Sequence, residues 1–238
     1  MTHTDNPDTA PELPPTPDAA GEIRDKARNL HPIRLVPFVA VVVLINVVNL
    51  IWTLKIHSLL WRWTELNDWV VVTSWVANSV FALLLVFALY AVATRHRRAP
   101  QIALPMMLVY LSVATINVLI NITILIIAPG FSRGQQLSLI IVLGLSFTAI
   151  TLVYSLWYQI ADTHLKGGAL DFPPNANDPD EPPKWFDYLV VAFFTNSTFG
   201  PTLENVRTRP AKAIMMSQTA LSVLVLVVLV ARIVTSTR

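Results

Sequence analysis

Residues 185–231 read WFDYLVVAFFTNSTFGPTLENVRTRPAKAIMMSQTALSVLVLVVLVA, and the way this stretch divides decides the fold. Its first part, Trp185–Phe199, is apolar and aromatic but turns polar at Thr195-Asn196-Ser197-Thr198 and breaks at Gly200-Pro201. A helix crossing a bilayer core of about 30 Å needs roughly 20 apolar residues, and this part falls short. The last part, Ala213–Ala231, is about long enough and follows a basic stretch, Arg207, Arg209 and Lys212. The pattern predicts a short helix over Asp187–Thr198, an irregular turn at Thr198-Phe199-Gly200-Pro201-Thr202, and a full span. The alternative carries Trp185–Thr202 right across as an extra span. It requires Asp187 and four hydroxyl or amide side chains to be paired inside the bundle.

Upstream lie four longer apolar runs, Ile33–Leu54, Trp69–Ala93, Gln101–Ala128 and Gln136–Ile160. At about 1.5 Å rise per residue each can cross a bilayer. The composition agrees: 54% hydrophobic, 13% charged, mean hydropathy +0.55. A soluble domain carries about a quarter charged residues. The fold class is therefore all-α, a polytopic helical membrane protein with five or six crossings. Pro37 and Pro105 fall in the first turns of their predicted helices, where a missing amide costs little. Gly144, mid-span, would permit close helix packing. The expected organisation is a disordered cytoplasmic tail (1–28), a four-helix transmembrane bundle (33–161), a Pro- and acid-rich loop (162–184) and the C-terminal hairpin (185–238). The tail is acidic and Pro-rich without an apolar run, unlike a signal peptide.

Basic residues set the expected orientation. With the N-terminus cytoplasmic, Arg24, Lys26, Arg28, Arg34, Arg95, Arg97, Arg98, Lys166 and Lys184 lie inside, against Lys55, Arg62 and Arg133 outside. Trp52, Trp61, Trp63 and Trp69 then mark the outer interface, and Trp157, Tyr158, Trp185 and Tyr188 the inner one. A net charge of +2, carried between the spans, calls for a lipid bilayer as partner and no nucleic acid. With no cysteine, thiolate chemistry is excluded.

The interiors of the four spans hold no Asp, Glu, Lys, Arg or His. Coupled pumps and voltage sensors depend on such groups. No paired Asp, Ser–His dyad or H-E-x-x-H motif is present either, so the chain reads as no enzyme and no cofactor is expected. Loop 162–184 carries Asp162, His164, Asp171, Asp178, Asp180 and Glu181, ligand types that hard cations take. Its five prolines mark it instead as an irregular solvated loop, and no metal site is assigned. What the spans do hold is asparagine. Asn46, Asn49 and Thr53 share one face of the first helix, Asn117 and Asn121 lie at i, i+4 on the third, and Asn78 is in the second. Amides in a bundle serve as helix–helix hydrogen-bonding glue, or as the polar lining of a solute path.

Trp185–Val234 resembles the pore module of two-helix potassium channels. It has an aromatic short helix, a Thr198-Phe199-Gly200 turn, a basic linker and a long apolar helix ending at Ala231-Arg232. Thr195, Asn196, Ser197, Thr198 and Thr202 would supply filter oxygens. The family filter continues with an aromatic residue, a second Gly and an acidic residue. Here Pro201, Thr202 and Leu203 stand in those places, so the resemblance implies a pore without implying potassium selectivity. With the N-terminus inside, the short helix would begin from the cytoplasm, as in ionotropic glutamate receptors.

A longer part resembles a bacterial integral-membrane family of unknown function. It comprises LVYSLWYQIADTHLK in the fourth span, Gly167-Gly168-Ala169-Leu170-Asp171-Phe172-Pro173, then Pro182-Pro183-Lys184-Trp185-Phe186-Asp187-Tyr188, the aromatic segment and the terminal span. This places the protein in a bacterial cytoplasmic membrane. The expected function is ion-channel-like: a cation pathway through the C-terminal module, assembled as a homo-oligomer, a tetramer if a channel. The alternatives are a non-catalytic membrane scaffold or accessory subunit and, third, a small-solute transporter.

Overall fold

The computed structural model describes residues 35–60, 64–94, 99–127, 135–165, 167–173, 181–197 and 205–236. The tail 1–28, residues 174–180 of the Pro-rich loop, and the turn Thr198–Thr202 lie outside them. The chain is an all-α polytopic membrane protein. Its helices are α1 (Leu35–Leu60), α2 (Thr64–Thr94), α3 (Ala99–Ile127), α4 (Gln136–His164), α5 (Trp185–Asn196) and α6 (Arg209–Ser236), with two short strands, β1 (Leu170–Asp171) and β2 (Asn205–Val206). Among the described residues four stretches are long and apolar enough to cross a membrane: Phe38–Leu59, Leu104–Ile127, Gln136–His164 and Arg209–Arg232. The 31-residue α2 carries the shorter apolar stretch Val71–Leu84.

α4 is the centre of the bundle, packed against α1, α3, α5 and α6, while α2 covers α1 and α3. Ile150 through Leu156 are all buried. Over that stretch, apolar and buried on every side, α4 is an interior helix, while Leu137 and Ile140 nearer its start are exposed. It is surrounded by two sets of apolar side chains. One joins Trp52, Ile122, Leu125, Tyr154 and Tyr158 to Val191 and Val225. The other joins Phe38, Val42 and Ile45 to Leu111, Leu152 and Leu156. Val43, Leu50, Leu83, Val109, Leu226 and Val230 are exposed on the outside, the face a spanning helix turns to lipid.

The elements end within six residues of the bounds of the apolar runs. α1 continues to Leu60 through Lys55 and His57, because its backbone bonds are satisfied whether or not its side chains are apolar. α3 starts at Ala99, which moves Pro105 into the second turn, inside the helix, and corrects its expected first-turn place. Gly144 is also corrected: it is exposed, and a Cβ there would meet nothing within 4 Å. It makes no close helix contact in this chain. At the end of the bundle where α3 and α6 both finish, Arg232 Nη2 donates to Leu125 O (2.8 Å) and Ile126 O (2.9 Å). These are among the last carbonyls of α3, which have no partner within their own helix.

The first part of loop 162–184 is not irregular. α4 takes Asp162 and His164 into its last turn, and Asp162 is buried at 2% exposure. Its Oδ1 accepts the amides of Ala169 (2.7 Å) and Leu170 (3.0 Å), and its Oδ2 accepts the Tyr188 hydroxyl (2.8 Å). Gly167 and Gly168 both take φ of 74°, a left-handed turn that glycine adopts without a Cβ clash. That turn sends the chain back over the carboxyl group. β1 then pairs antiparallel with β2, Leu170 opposite Val206 and Asp171 opposite Asn205.

Candidate functional site

Two polar clusters lie inside the bundle. The first is built on α5. Pro182 and Pro183 hold the chain extended before it, and Asp187 fixes its start. Lys184 N–H donates to Asp187 Oδ2 (2.6 Å), and Asp187 N–H returns to Lys184 O (3.0 Å). Asp187 is therefore a cap at the end of the bundle. The helix runs Trp185–Asn196, two residues earlier at each end than the predicted Asp187–Thr198. Twelve residues make about 18 Å of helix, half of a bilayer core.

The partners of α5 give its direction. Near its start Tyr188 meets Asp162, and at its end Asn196 Nδ2 reaches Phe147 O (2.9 Å) and Thr151 Oγ1 (2.8 Å). From Asp162 back to Phe147 is about 22 Å of α4, which brings the C-terminus of α5 to the middle of that helix. Asn205 and Val206 then lie back beside Leu170 and Asp171, and Arg207 N–H donates to Ala169 O (3.0 Å). Both ends of the segment are thus at the same end of the bundle. The seven residues between Ser197 and Asn205 can reach about 25 Å, enough to return. The extra-span alternative needs the two ends on opposite sides, whereas the described residues at the two ends lie together.

The buried face of α5 is Tyr188, Val191, Ala192, Thr195 and Asn196. α6 passes it in the opposite direction. Gln218 Nε2 donates to Ala192 O (2.6 Å) and Gln218 Oε1 accepts the Tyr158 hydroxyl (2.7 Å). Ser222 Oγ donates to Asn196 Oδ1. The buried Thr195 hydroxyl meets no hydrogen-bond partner among the described residues. Ser197 closes the helix, its Oγ donating to Phe194 O (3.0 Å). Of the filter-like residues, then, Thr195 and Asn196 face α4 and α6 and Ser197 caps the helix. Thr198, Phe199, Gly200, Pro201 and Thr202 lie outside the described residues.

The second cluster is the asparagine set. Asn46 Nδ2 donates to Val42 O (2.7 Å) and the Tyr110 hydroxyl (2.9 Å), and Asn117 Nδ2 donates to Asn49 Oδ1 (2.9 Å). Thr53 bonds Ser74 across to α2 (2.9 Å). These are the helix–helix links expected of amides in a bundle. Asn46, Asn49 and Asn117 also line a space of about 30 Å³ between α1, α3 and α4, bordered on α2 by Ala77, together with Asn121, Tyr110, Trp52 and Ser146. Asn78 is half-buried on α2 and is not part of that lining. Asn117 and Asn121 are 7% and 5% exposed, and the Oδ1 atom of each meets no protein donor among the described residues.

The chain matches no protein-family model, no curated protein and no solved structure. What the two clusters can do follows from their own chemistry. Apart from Asp162 and Asp187 at the base of α5, both are amide and hydroxyl hydrogen-bonding sets. Among the described residues no group of three or more His, Cys, Asp or Glu is placed to hold a metal ion.

Several pins were not singled out from sequence. Gln218 and Ser222 sit at i, i+4 on α6, the spacing that marks Asn117 and Asn121, and would have been found by extending the same search to the last span. Four aromatic residues assigned to the membrane interface are buried or half-buried hydrogen-bond donors within the bundle. Trp52, 2% exposed, donates Nε1–H to Ser146 Oγ (3.0 Å), and half-buried Trp157 donates to Thr115 Oγ1 (3.0 Å). Tyr158 and Tyr188 find Gln218 and Asp162. Each has an apolar body and a polar tip, which suits a protein interior as well as a headgroup layer. Trp69 is exposed, and Trp61 and Trp63 lie outside the described residues.

Proposed function

We propose that this integral membrane protein conducts small cations along a path walled by its C-terminal segment, Trp185–Thr202, in an assembly of identical copies. The observation that carries the reading is the half-helix. α5 starts and its chain returns at one end of the bundle, and its C-terminus stops at mid-depth beside Phe147 and Thr151. A helix C-terminus carries about half an elementary negative charge, and at that depth it lowers the cost of a passing cation. Non-helical backbone at membrane depth is tolerated where it lines water or is buried in protein, and Thr198-Phe199-Gly200-Pro201-Thr202 follows directly. One copy supplies one wall, so a closed path takes several, four if the likeness to a two-helix pore module extends to assembly. With the N-terminus cytoplasmic, α5 begins from the cytoplasm and α6 ends outside.

Flux through purified protein in proteoliposomes tests the reading. The expected result is Na⁺ or K⁺ flux above protein-free vesicles, lowered at least about tenfold, or about 1.4 kcal/mol of barrier, by Thr198→Ala and Gly200→Ala. No flux, or flux indifferent to both substitutions, sinks it.

One observation favours a second reading, a non-catalytic scaffold or accessory subunit. Asn196, Gln218 and Ser222 spend their polar atoms on groups within the same chain, as a purely structural hairpin would. A monodisperse monomer that copurifies with one fixed partner supports that reading.

A further inference from the structure

We propose that the start of α6 binds the headgroup of an anionic phospholipid, held by Arg209 and Lys212 at the head of the stripe that α6 turns to lipid. α6 has two opposite faces. Ala211, Gln218, Ser222 and Val225 are buried against the bundle. Arg209, Lys212, Met216, Val223, Val227 and Val230 are exposed, and their helical spacing puts them on one side. The first two members of that stripe are cationic and the other four apolar. Its depth is set at both ends. From Lys212 to Arg232 is about 30 Å of helix, the thickness of a bilayer core. Arg232 is tied to the last carbonyls of α3 at the far end. Arg209 and Lys212 therefore stand at headgroup level.

Other charged side chains described at this end of the bundle are matched within the chain. Lys184 pairs with Glu181, and Arg207 with Asp171 (2.8 Å). Asp162 takes two amides and the Tyr188 hydroxyl, and Asp187 caps α5. The side chains of Arg209 and Lys212 have no ion pair or hydrogen bond among the described residues. Two exposed cations above an apolar stripe complement a molecule with an anionic head and a hydrocarbon tail. Arg offers phosphate oxygens a planar fork of N–H donors, and Lys a point charge. A free phosphate would meet the cations and leave the stripe unused. A second copy laid on the same stripe in the same orientation would bring four cations to one level, which like-charge repulsion opposes. The site does not rest on the pathway proposed for Trp185–Thr202.

The test is native mass spectrometry of the full-length protein released from detergent, titrated with phosphatidylglycerol or with phosphatidylcholine of the same acyl chains. A Lys or Arg beside an anionic bilayer surface strengthens attraction about fivefold. One phosphatidylglycerol should therefore bind at least about tenfold more tightly than phosphatidylcholine. Arg209→Gln combined with Lys212→Gln should bring the two lipids within about twofold of each other. If that double variant does not fold, Lys212→Gln alone should cut the preference about fivefold. Arg207→Gln should leave the preference intact, because Asp171 already holds that guanidinium. Equal binding of the two lipids by the wild type overturns the proposal. A preference that survives the glutamine substitutions places the lipid elsewhere and overturns it too. Displacement of phosphatidylglycerol by millimolar inorganic phosphate would show a free-anion site. Cross-linking of Met216→Cys between two copies in a bilayer would show a second copy on the stripe. Either result overturns the proposal. Because the readout is lipid binding and not flux, its failure is distinct from failure of the pathway.

Discussion

The two polar clusters use the same kinds of side chain to different ends. Around α5, Asn196 and Gln218 have both amide ends engaged, on α4, on α6 or on the α5 backbone. Around the cavity, Asn117 and Asn121 each keep a buried oxygen that meets no donor among the described residues. The first cluster holds a short helix at a depth where it has no length to anchor itself. The second joins α1 to α3, which are held by their own length, and can leave polar atoms over. An amide in a membrane bundle is thus a pin where the backbone needs one and a lining where it does not.

The comparison can be broken most severely at the base of α5. Asp162→Ala would strip the acceptor from two backbone amides and the Tyr188 hydroxyl. We expect a loss of about 3–5 kcal/mol, seen as unfolding in detergent where wild type survives, together with loss of the β1–β2 pair. An unchanged melting curve would show that the buried carboxyl group is incidental. At the inner end, Asn196→Leu removes the links to Phe147, Thr151 and Ser222. Single hydrogen bonds between membrane helices are each worth about 0.6 kcal/mol on average, so about 2 kcal/mol is expected, with faster hydrogen exchange confined to α5. Exchange rising equally in α1 and α3 would contradict the local role.

In the other cluster the sign reverses. Asn121→Leu should leave stability unchanged or raise it by up to about 1 kcal/mol, since an unmet acceptor is replaced by an apolar group of similar size. Destabilisation comparable to Asn196→Leu would erase the distinction between pin and lining. The smallest effect belongs to Arg207→Ala. Its contact with Asp171 (2.8 Å) is partly exposed on both sides, and such pairs contribute about 0–1 kcal/mol. A larger loss would show that the strand pair depends on charge as well as on its backbone bonds.

Much of this was legible in the residues. The long apolar runs mark α1 to α4 and α6, because a bilayer demands continuous apolar length. The shortness of Trp185–Asn196 marks α5 as incomplete. The links of Asn46 and Asn49 follow from their shared helix face. What was hidden depends on tertiary geometry. Asp162 reads as the first residue of an acidic loop until Ala169 and Leu170 fold back over it. Trp52 and Tyr158 have the composition of interface anchors, and only the packing of α4 takes them inside. The spacing of Asn117 and Asn121 places them together on α3 but does not say that both border one cavity.

The central claim is that α5 enters and its chain leaves at one face of the membrane. The sequence contains no cysteine, so single cysteines at Lys184, Arg207 and Gln135 report sidedness without background. With a membrane-impermeant maleimide on sealed, oriented vesicles, positions 184 and 207 should label from the same side, and position 135, at the opposite end of α4, from the other. Labelling of 184 and 207 from opposite sides would mean that Trp185–Thr202 crosses the membrane, and would contradict the re-entrant half-helix on which the proposed pathway stands.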